Sequence, residues 1–89
     1  MLPQQSQKKD TNRVLAVIMG EEYVIRGDAS PDYIESLAHD LDLRMRKISE
    51  SNPRLSLHQV SVLAALHIAD ELGAARRKYG ELLRLVDQS

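Results

Sequence analysis

The chain has 89 residues and a formal net charge of −1 at pH 7, with no cysteine and three tyrosines as its only aromatic residues. This length leaves room for one domain, and a domain so small often depends on a partner subunit for stability. The lack of cysteine excludes disulfides, and the near-neutral charge provides no strong field to attract nucleic acid or an anionic membrane. No apolar run reaches the roughly 18 residues that cross a bilayer, so the composition predicts a soluble, cytoplasmic protein.

Two short apolar segments near the N-terminus predict a β-hairpin. Residues 1–12 are polar and predict a disordered leader. The segment 13–19 is apolar and rich in β-branched residues, and after Gly-Glu-Glu at 20–22 the pattern resumes at 23–26. The tight, glycine-containing connection predicts a hairpin over 13–27. Both faces of the first strand are apolar, so we expect it to lie in a core, covered by a helix or a second hairpin.

A first helix is predicted over residues 31–51. Ser30 can cap its N-terminus, and Pro31 suits the first helical position. Asn52-Pro53 ends the helix, because the residue before a proline avoids the helical region. Apolar side chains recur at helical spacing along one face: Ile34, Leu37, Ala38, Leu41, Met45 and Ile48.

A second helix is predicted from Ser56 to the C-terminus. Ser56 and Gln59 match a capping box, and no proline follows them. A helix of this length would reach roughly 50 Å. Its apolar residues alternate at spacings of three and four, which is the a/d register of a coiled coil. We therefore expect seven residues to form a seam with a second subunit: Ala65, Ile68, Leu72, Ala75, Tyr79, Leu82 and Val86.

The first half of this helix predicts an obligate homodimer. From Leu57 to Ala69 apolar residues point nearly all round the axis, and such a helix is buried on every side. One side can meet the hairpin and the first helix, so the other needs a second copy related by a two-fold axis. The predicted fold class is α+β and helix-dominated: an N-terminal β-hairpin, one helix and a long C-terminal helix forming an intersubunit coiled coil. The predicted head covers 13–72, with the start of the long helix at 56–72, and a coiled-coil extension covers 73–89.

The sequence contains no pattern that carries catalysis or binds a cofactor. It has no glycine-rich phosphate-binding loop, and its four glycines are isolated. The histidines, His39, His58 and His67, include no pair at the i, i+4 spacing of a helical metal site, and no cysteine could complete one. We therefore expect no enzyme activity, no catalytic, cofactor-binding or metal-binding residues, and no cofactor.

Two functions other than the one favoured below stay open. A small DNA-associated dimeric regulator is the first, although the apolar strand lacks the polar face that a ribbon-helix-helix protein presents to the major groove. Strong salt-dependent retention on DNA would support it. The second is an adaptor of the same architecture with an unrelated protein client, and only identification of the partner separates this from the favoured function.

Four stretches of the chain, in this order and spacing, resemble the ZapA family of bacterial cell-division proteins, in its short Gram-positive-like form. They are VIMGEEYVI at 17–25, DLDLRMRKI at 40–48, NPRL at 52–55 and VLAALHIADEL at 62–72. The resemblance covers about residues 13–80.

This resemblance implies an α/β head with a coiled-coil stalk, assembled into dimers and in many cases tetramers. It implies a protein without cofactor that binds FtsZ, the tubulin-like division GTPase, and bundles its filaments into the ring at the division site in the cytoplasm. It implies filament contact by charged head residues, for which the candidates here are Arg44, Arg46, Lys47, Glu50 and Arg54. Glu21 and His58 depart from the charges of longer members, so no role is carried over to them, and the short C-terminal helix leaves a stalk-mediated tetramer open.

Overall fold

The computed structural model describes residues 12–88 of the chain. In chain order these form strand β1 (Asn12–Ile18), strand β2 (Glu21–Gly27), helix α1 (Pro31–Ser51) and helix α2 (Leu57–Gln88). The predicted helix-dominated α+β class with one hairpin and two helices is confirmed. The predicted disordered leader lies outside the described residues, except for Asn12, which is the first residue of β1.

The two strands pair antiparallel, in a register that runs from Asn12 opposite Gly27 to Ile18 opposite Glu21. Met19 and Gly20 form the turn with φ of 52° and 81°. Positive φ at both central residues is the mark of the two-residue primed turns, whose twist matches that of the flanking strands. The break between the strands is therefore shorter than the sequence suggested, and Glu21 already belongs to β2.

The hairpin has one buried and one exposed face. Val14 and Ala16 are 4% and 6% exposed, and α1 packs against β1. The alternate residues Leu15 and Val17 are 60% and 53% exposed. The expectation that both faces of the first strand lie in a core is therefore wrong within the chain itself, because α1 covers a single face.

Helix α1 has the bounds that its sequence predicts. The Ser30 hydroxyl accepts a hydrogen bond from the backbone N–H of Tyr33 at 3.2 Å, which satisfies one of the free donors of the first turn. At the other end the backbone N–H of Asn52 donates to the Ile48 carbonyl at 3.0 Å. Leu37 departs from the predicted buried face and stays 41% exposed. The buried residues of the helix are Ile34, Ala38, Met45 and Ile48.

Helix α2 begins with the predicted capping box and continues without a break. The Gln59 N–H donates to the Ser56 hydroxyl at 3.1 Å, and the Ser56 N–H donates to the Gln59 side-chain oxygen at 3.0 Å. The chain divides into two compact units between Pro53 and Arg54, so α2 lies in the second unit. The predicted boundary between head and extension, at residues 72 and 73, falls inside this continuous helix and stays a prediction.

Two glycines at open positions should respond to alanine in opposite directions. Gly20→Ala should destabilise the protein by about 1 kcal/mol, because its φ of 81° disfavours any side chain although nothing lies within 4 Å. Gly80→Ala is the control: it adds the same methyl group to open space in the interior of α2, and should stabilise by about 0.5–1 kcal/mol. Urea unfolding followed by circular dichroism measures the change in the free energy of unfolding for both variants. Changes of the same sign would contradict the turn assignment.

Candidate functional site: an exposed apolar row and a charged helix end

The seven residues of the predicted seam share one feature, which is that none of them is buried within the chain. Ile68 is 39% exposed, Leu72 is 50% exposed and Tyr79 is 65% exposed. Leu82 and Val86 continue the line at 56% and 68%, and both alanines are exposed as well. The helix therefore presents a continuous exposed apolar row, composed of Ala65, Ile68, Leu72, Ala75, Tyr79, Leu82 and Val86, which we call the α2 row.

The first turns of α2 combine buried and exposed apolar side chains. Val60 and Ala64 are 1% and 0% exposed, whereas Val62 and Leu66 are 45% and 59% exposed. The sequence predicted a helix buried on every side here. The chain alone buries one side, and Val62, Leu66 and Ile68 are left at the surface.

The C-terminal half of α1 carries four of the five charged candidates, of which three are exposed and one, Arg44, is partly buried. Arg44 pairs with Asp40 through Nε and Oδ2 at 3.1 Å, and Arg46 pairs with Asp42 in the same way at 3.0 Å. Both are i, i+4 pairs along the helix. Lys47 and Glu50 are exposed, as is Arg54, which begins the second unit of the chain. The structure therefore places Arg44, Arg46, Lys47 and Glu50 in the same half of α1, but Arg44 and Arg46 lie on different sides of the helix, because residues two positions apart do not share a face.

Asp42 links α1 to the hairpin turn, and sequence reasoning missed this role. Its Oδ1 accepts a hydrogen bond from the backbone N–H of Met19 at 2.6 Å, while its Oδ2 accepts from Arg46. The Met19 hydrogen bond first, and the Arg46 contact second, lower the pKa of this carboxyl below its usual range. The only signal in the sequence is a carboxylate at the edge of the buried helix face, which does not identify its partner.

Among the described residues there is neither a cluster of metal-binding side chains nor a membrane-spanning helix. Residues 12–88 contain no group of three histidine, aspartate or glutamate side chains arranged to hold a metal ion. None of the helices in that range combines the length and the apolar character needed to cross a bilayer. What the described residues do offer is an exposed apolar row on a long helix and charged side chains on a shorter one, in a small, helix-dominated α+β protein.

The chain belongs to the ZapA family. The family model described as "Cell division protein ZapA" matches residues 5–88. A relative of that description from Halalkalibacterium halodurans is 30% identical over 81 residues, which cover 91% of this chain and 85% of the relative. Another from Geobacillus kaustophilus is 37% identical over 70 residues, which cover 79% of this chain and 77% of the relative. The resemblance given by the four sequence stretches is confirmed, and the family is one of cell-division proteins and not a known enzyme family.

Two solved structures share this fold. One is described as a ZapA mutant dimer from Geobacillus stearothermophilus, with a TM-score of 0.72 and 29% identity, covering 96% of this chain and 99% of that one. The other, a conserved bacterial protein of unknown function from Pseudomonas aeruginosa, has a TM-score of 0.60 and 31% identity and covers 88% of this chain and 99% of that one.

Replacing Asp42 should give a pH-dependent loss of stability. A carboxyl whose pKa is lowered by folding stabilises the folded state above its unfolded pKa, near pH 4, and loses that contribution as the pH falls through the lowered value. Asp42→Asn should therefore be less stable than the parent at pH 7, and the difference should shrink as the pH falls from the unfolded pKa of the carboxyl through its lowered folded-state pKa. Urea unfolding at a series of pH values measures this.

Asp40→Asn is the matched control, since Asp40 is 58% exposed and forms the same i, i+4 pair with an arginine. Exposed pairs of this kind contribute little, so this variant should stay close to the parent at every pH. An equal loss in both variants would contradict the role of the Met19 hydrogen bond.

Proposed function

We propose that this chain is a non-enzymatic, homodimeric accessory protein of cell division that binds FtsZ filaments in the cytoplasm at the division site and promotes their bundling. The observation that carries the proposal is the α2 row, a long apolar surface that the single chain leaves exposed. Membership of a cell-division family supports the process, and the charged end of α1 supports a protein client.

The α2 row supports pairing with a second copy of the chain. Its three-and-four spacing matches the seam of two supercoiled helices, in which each side chain fits between four side chains of the facing helix. A fully buried leucine or isoleucine contributes about 1.5–3 kcal/mol relative to an exposed one. Burial of Ile68, Leu72 and Leu82 across a two-fold axis therefore gives a dimer a strong driving force. The likeness to a structure described as a dimer supports the same arrangement.

A dimer explains bundling without any new kind of contact. It carries two identical copies of the unit formed by the hairpin and α1. When one copy binds a filament, the other is held near a neighbouring filament at a high effective concentration, so two weak contacts act together.

The charged end of α1 supports the filament contact. Lys47 and Glu50 are exposed, and the side chain of Arg46 is 52% exposed despite its pair with Asp42. Charges of both signs on one helix surface suit a reversible contact with a complementary surface, because they steer the encounter and set its orientation. The proposed contact residues are Arg44, Arg46, Lys47, Glu50 and Arg54.

Ile68→Glu should break the proposed dimer and unfold the protein with it. A buried, unpaired carboxylate in a seam of this kind is strongly unfavourable, and the monomer keeps too much apolar surface exposed to fold alone. Sedimentation velocity and circular dichroism measure the outcome.

Two neighbouring alanines supply the matched control: Ala75→Glu on the row should dissociate the dimer, while Ala74→Glu beside it should not. A well-folded monomer from Ile68→Glu would contradict the obligate dimer.

Co-sedimentation tests the client. The purified protein should pellet with FtsZ from the same organism, polymerised with GTP at physiological salt, and should not pellet without filaments. Bundles should be visible by electron microscopy. Failure to pellet at concentrations well above those of dimer assembly would remove FtsZ as the client.

Charge reversal tests the contact surface in the same assay. Lys47→Glu should lower the apparent affinity for filaments, obtained from the pelleted fraction, about tenfold or more, because like charges across an interface are costly. The dimer should stay intact. Arg84→Glu, an exposed basic residue near the end of α2, is the control and should pellet as the parent does. If both variants pelleted with filaments to the same extent, the proposal that the charged end of α1 contacts the filament would be wrong.

A further inference from the structure

The outward face of the hairpin is more apolar than a solvated sheet face requires. Residues directly opposite each other in an antiparallel pair share a face, so the register places Leu15 and Val24 together, with Val17 beside them. They are 60%, 45% and 53% exposed. Antiparallel sheets that face water on one side are normally polar on that side. This face, composed of Arg13, Leu15, Val17, Glu22, Val24 and Arg26, is called the outer hairpin face below.

Charge is distributed unevenly along this face. Arg13 lies directly opposite Arg26 at one end, Leu15 opposite Val24 in the middle, and Val17 opposite Glu22 at the other end. The face therefore runs from basic through apolar to acidic over about 14 Å, at roughly 3.4 Å per strand residue. Like charges directly opposite each other destabilise a hairpin. Within residues 12–88 neither Arg13 nor Arg26 has an ion-pair partner that would offset this cost.

A second copy of the same face complements this arrangement. Consider two sheets stacked face to face, related by a two-fold axis that runs across the strands through the Leu15–Val24 pair. Each strand then faces its own copy, which runs in the opposite direction. Leu15 and Val24 then meet their own copies in the centre. Each Arg26 then lies over Glu22 of the other copy, so the contact contains two ion pairs related by the axis. An axis along the strands would instead stack four arginines together, so charge selects one orientation.

We infer that the outer hairpin face is a second self-association surface, which joins two chains that α2 does not join. Six side chains on two short strands bury far less than the roughly 800 Å² per partner of a stable interface. The contact is therefore weak by itself, and it acts by linking dimers that the α2 row has formed. The inference rests on the proposed α2 pairing only for the size of the assembly: with that pairing the hairpin face links dimers, and without it the face links single chains.

Sedimentation velocity of the full chain, from about 10 μM to about 1 mM at low salt, measures the association. The parent should grow beyond the dimer as its concentration rises. Leu15→Thr combined with Val24→Thr keeps the strand propensity and removes the apolar centre, and should weaken the association at least tenfold. Circular dichroism checks that each variant is folded. Absence of growth in the parent, or equal growth in the threonine variant, would overturn the inference.

Charge exchange tests the orientation. Glu22→Arg alone would place arginine over arginine between the two copies, and Arg26→Glu alone would place glutamate over glutamate, so each variant should lose self-association. Mixing these two variants, or combining both changes in one chain, should restore it. Failure of both restorations would overturn the inference.

The loss of self-association in the single charge variants and its restoration in the mixture test the hairpin contact independently of α2. A parent that never forms a dimer would instead count against the α2 row. A dimer that never grows, but whose pelleting with FtsZ is lost in the threonine variant, would overturn the self-contact and assign the face to the filament.

Discussion

A helix of 32 residues extends about 48 Å, which exceeds the roughly 30 Å diameter of a small domain, so an 89-residue chain cannot cover it. The burial along α2 follows from this constraint. Val60 and Ala64, in its first turns, are its only buried residues among those described, and every large apolar side chain after Ala64 stays at the surface. The exposed apolar row is therefore a consequence of length and three-and-four spacing together, and it is the feature on which the proposed dimer depends.

A single carboxylate joins the hairpin turn to α1. Met19 adopts a φ of 52°, a conformation that a side-chain-bearing residue rarely occupies. The charged hydrogen bond from its N–H to Asp42 helps hold this conformation, because an ionised acceptor makes a stronger bond than a neutral one. The same carboxylate orients Arg46 on the charged surface of the helix. The turn and the proposed contact surface are thus connected through one side chain.

Local rules predicted the helices well, because their ends depend on neighbours in sequence. The cap at Ser30, the stop at Asn52 and the box of Ser56 with Gln59 each involve residues within four positions of one another. The turn was harder to place, since methionine is not among the residues that favour positive φ. The role of Asp42 depends on a contact 23 residues away, and the exposure of Leu15 depends on how many faces one helix can cover. Neither follows from periodicity.

The exposed ion pairs of α1 suit a surface that exchanges partners. Pairs such as Arg44 with Asp40 contribute a few tenths of a kcal/mol on a helix surface, so an incoming carboxylate can replace one at little cost. Asp42 differs, because it accepts from the Met19 N–H and from Arg46 through different oxygens, so the bond to the turn does not require the arginine. Arg46 can therefore turn to a partner while the hairpin stays tied to the helix. In the proposed bundling, this separates the strength of the filament contact from the stability of the unit that carries it.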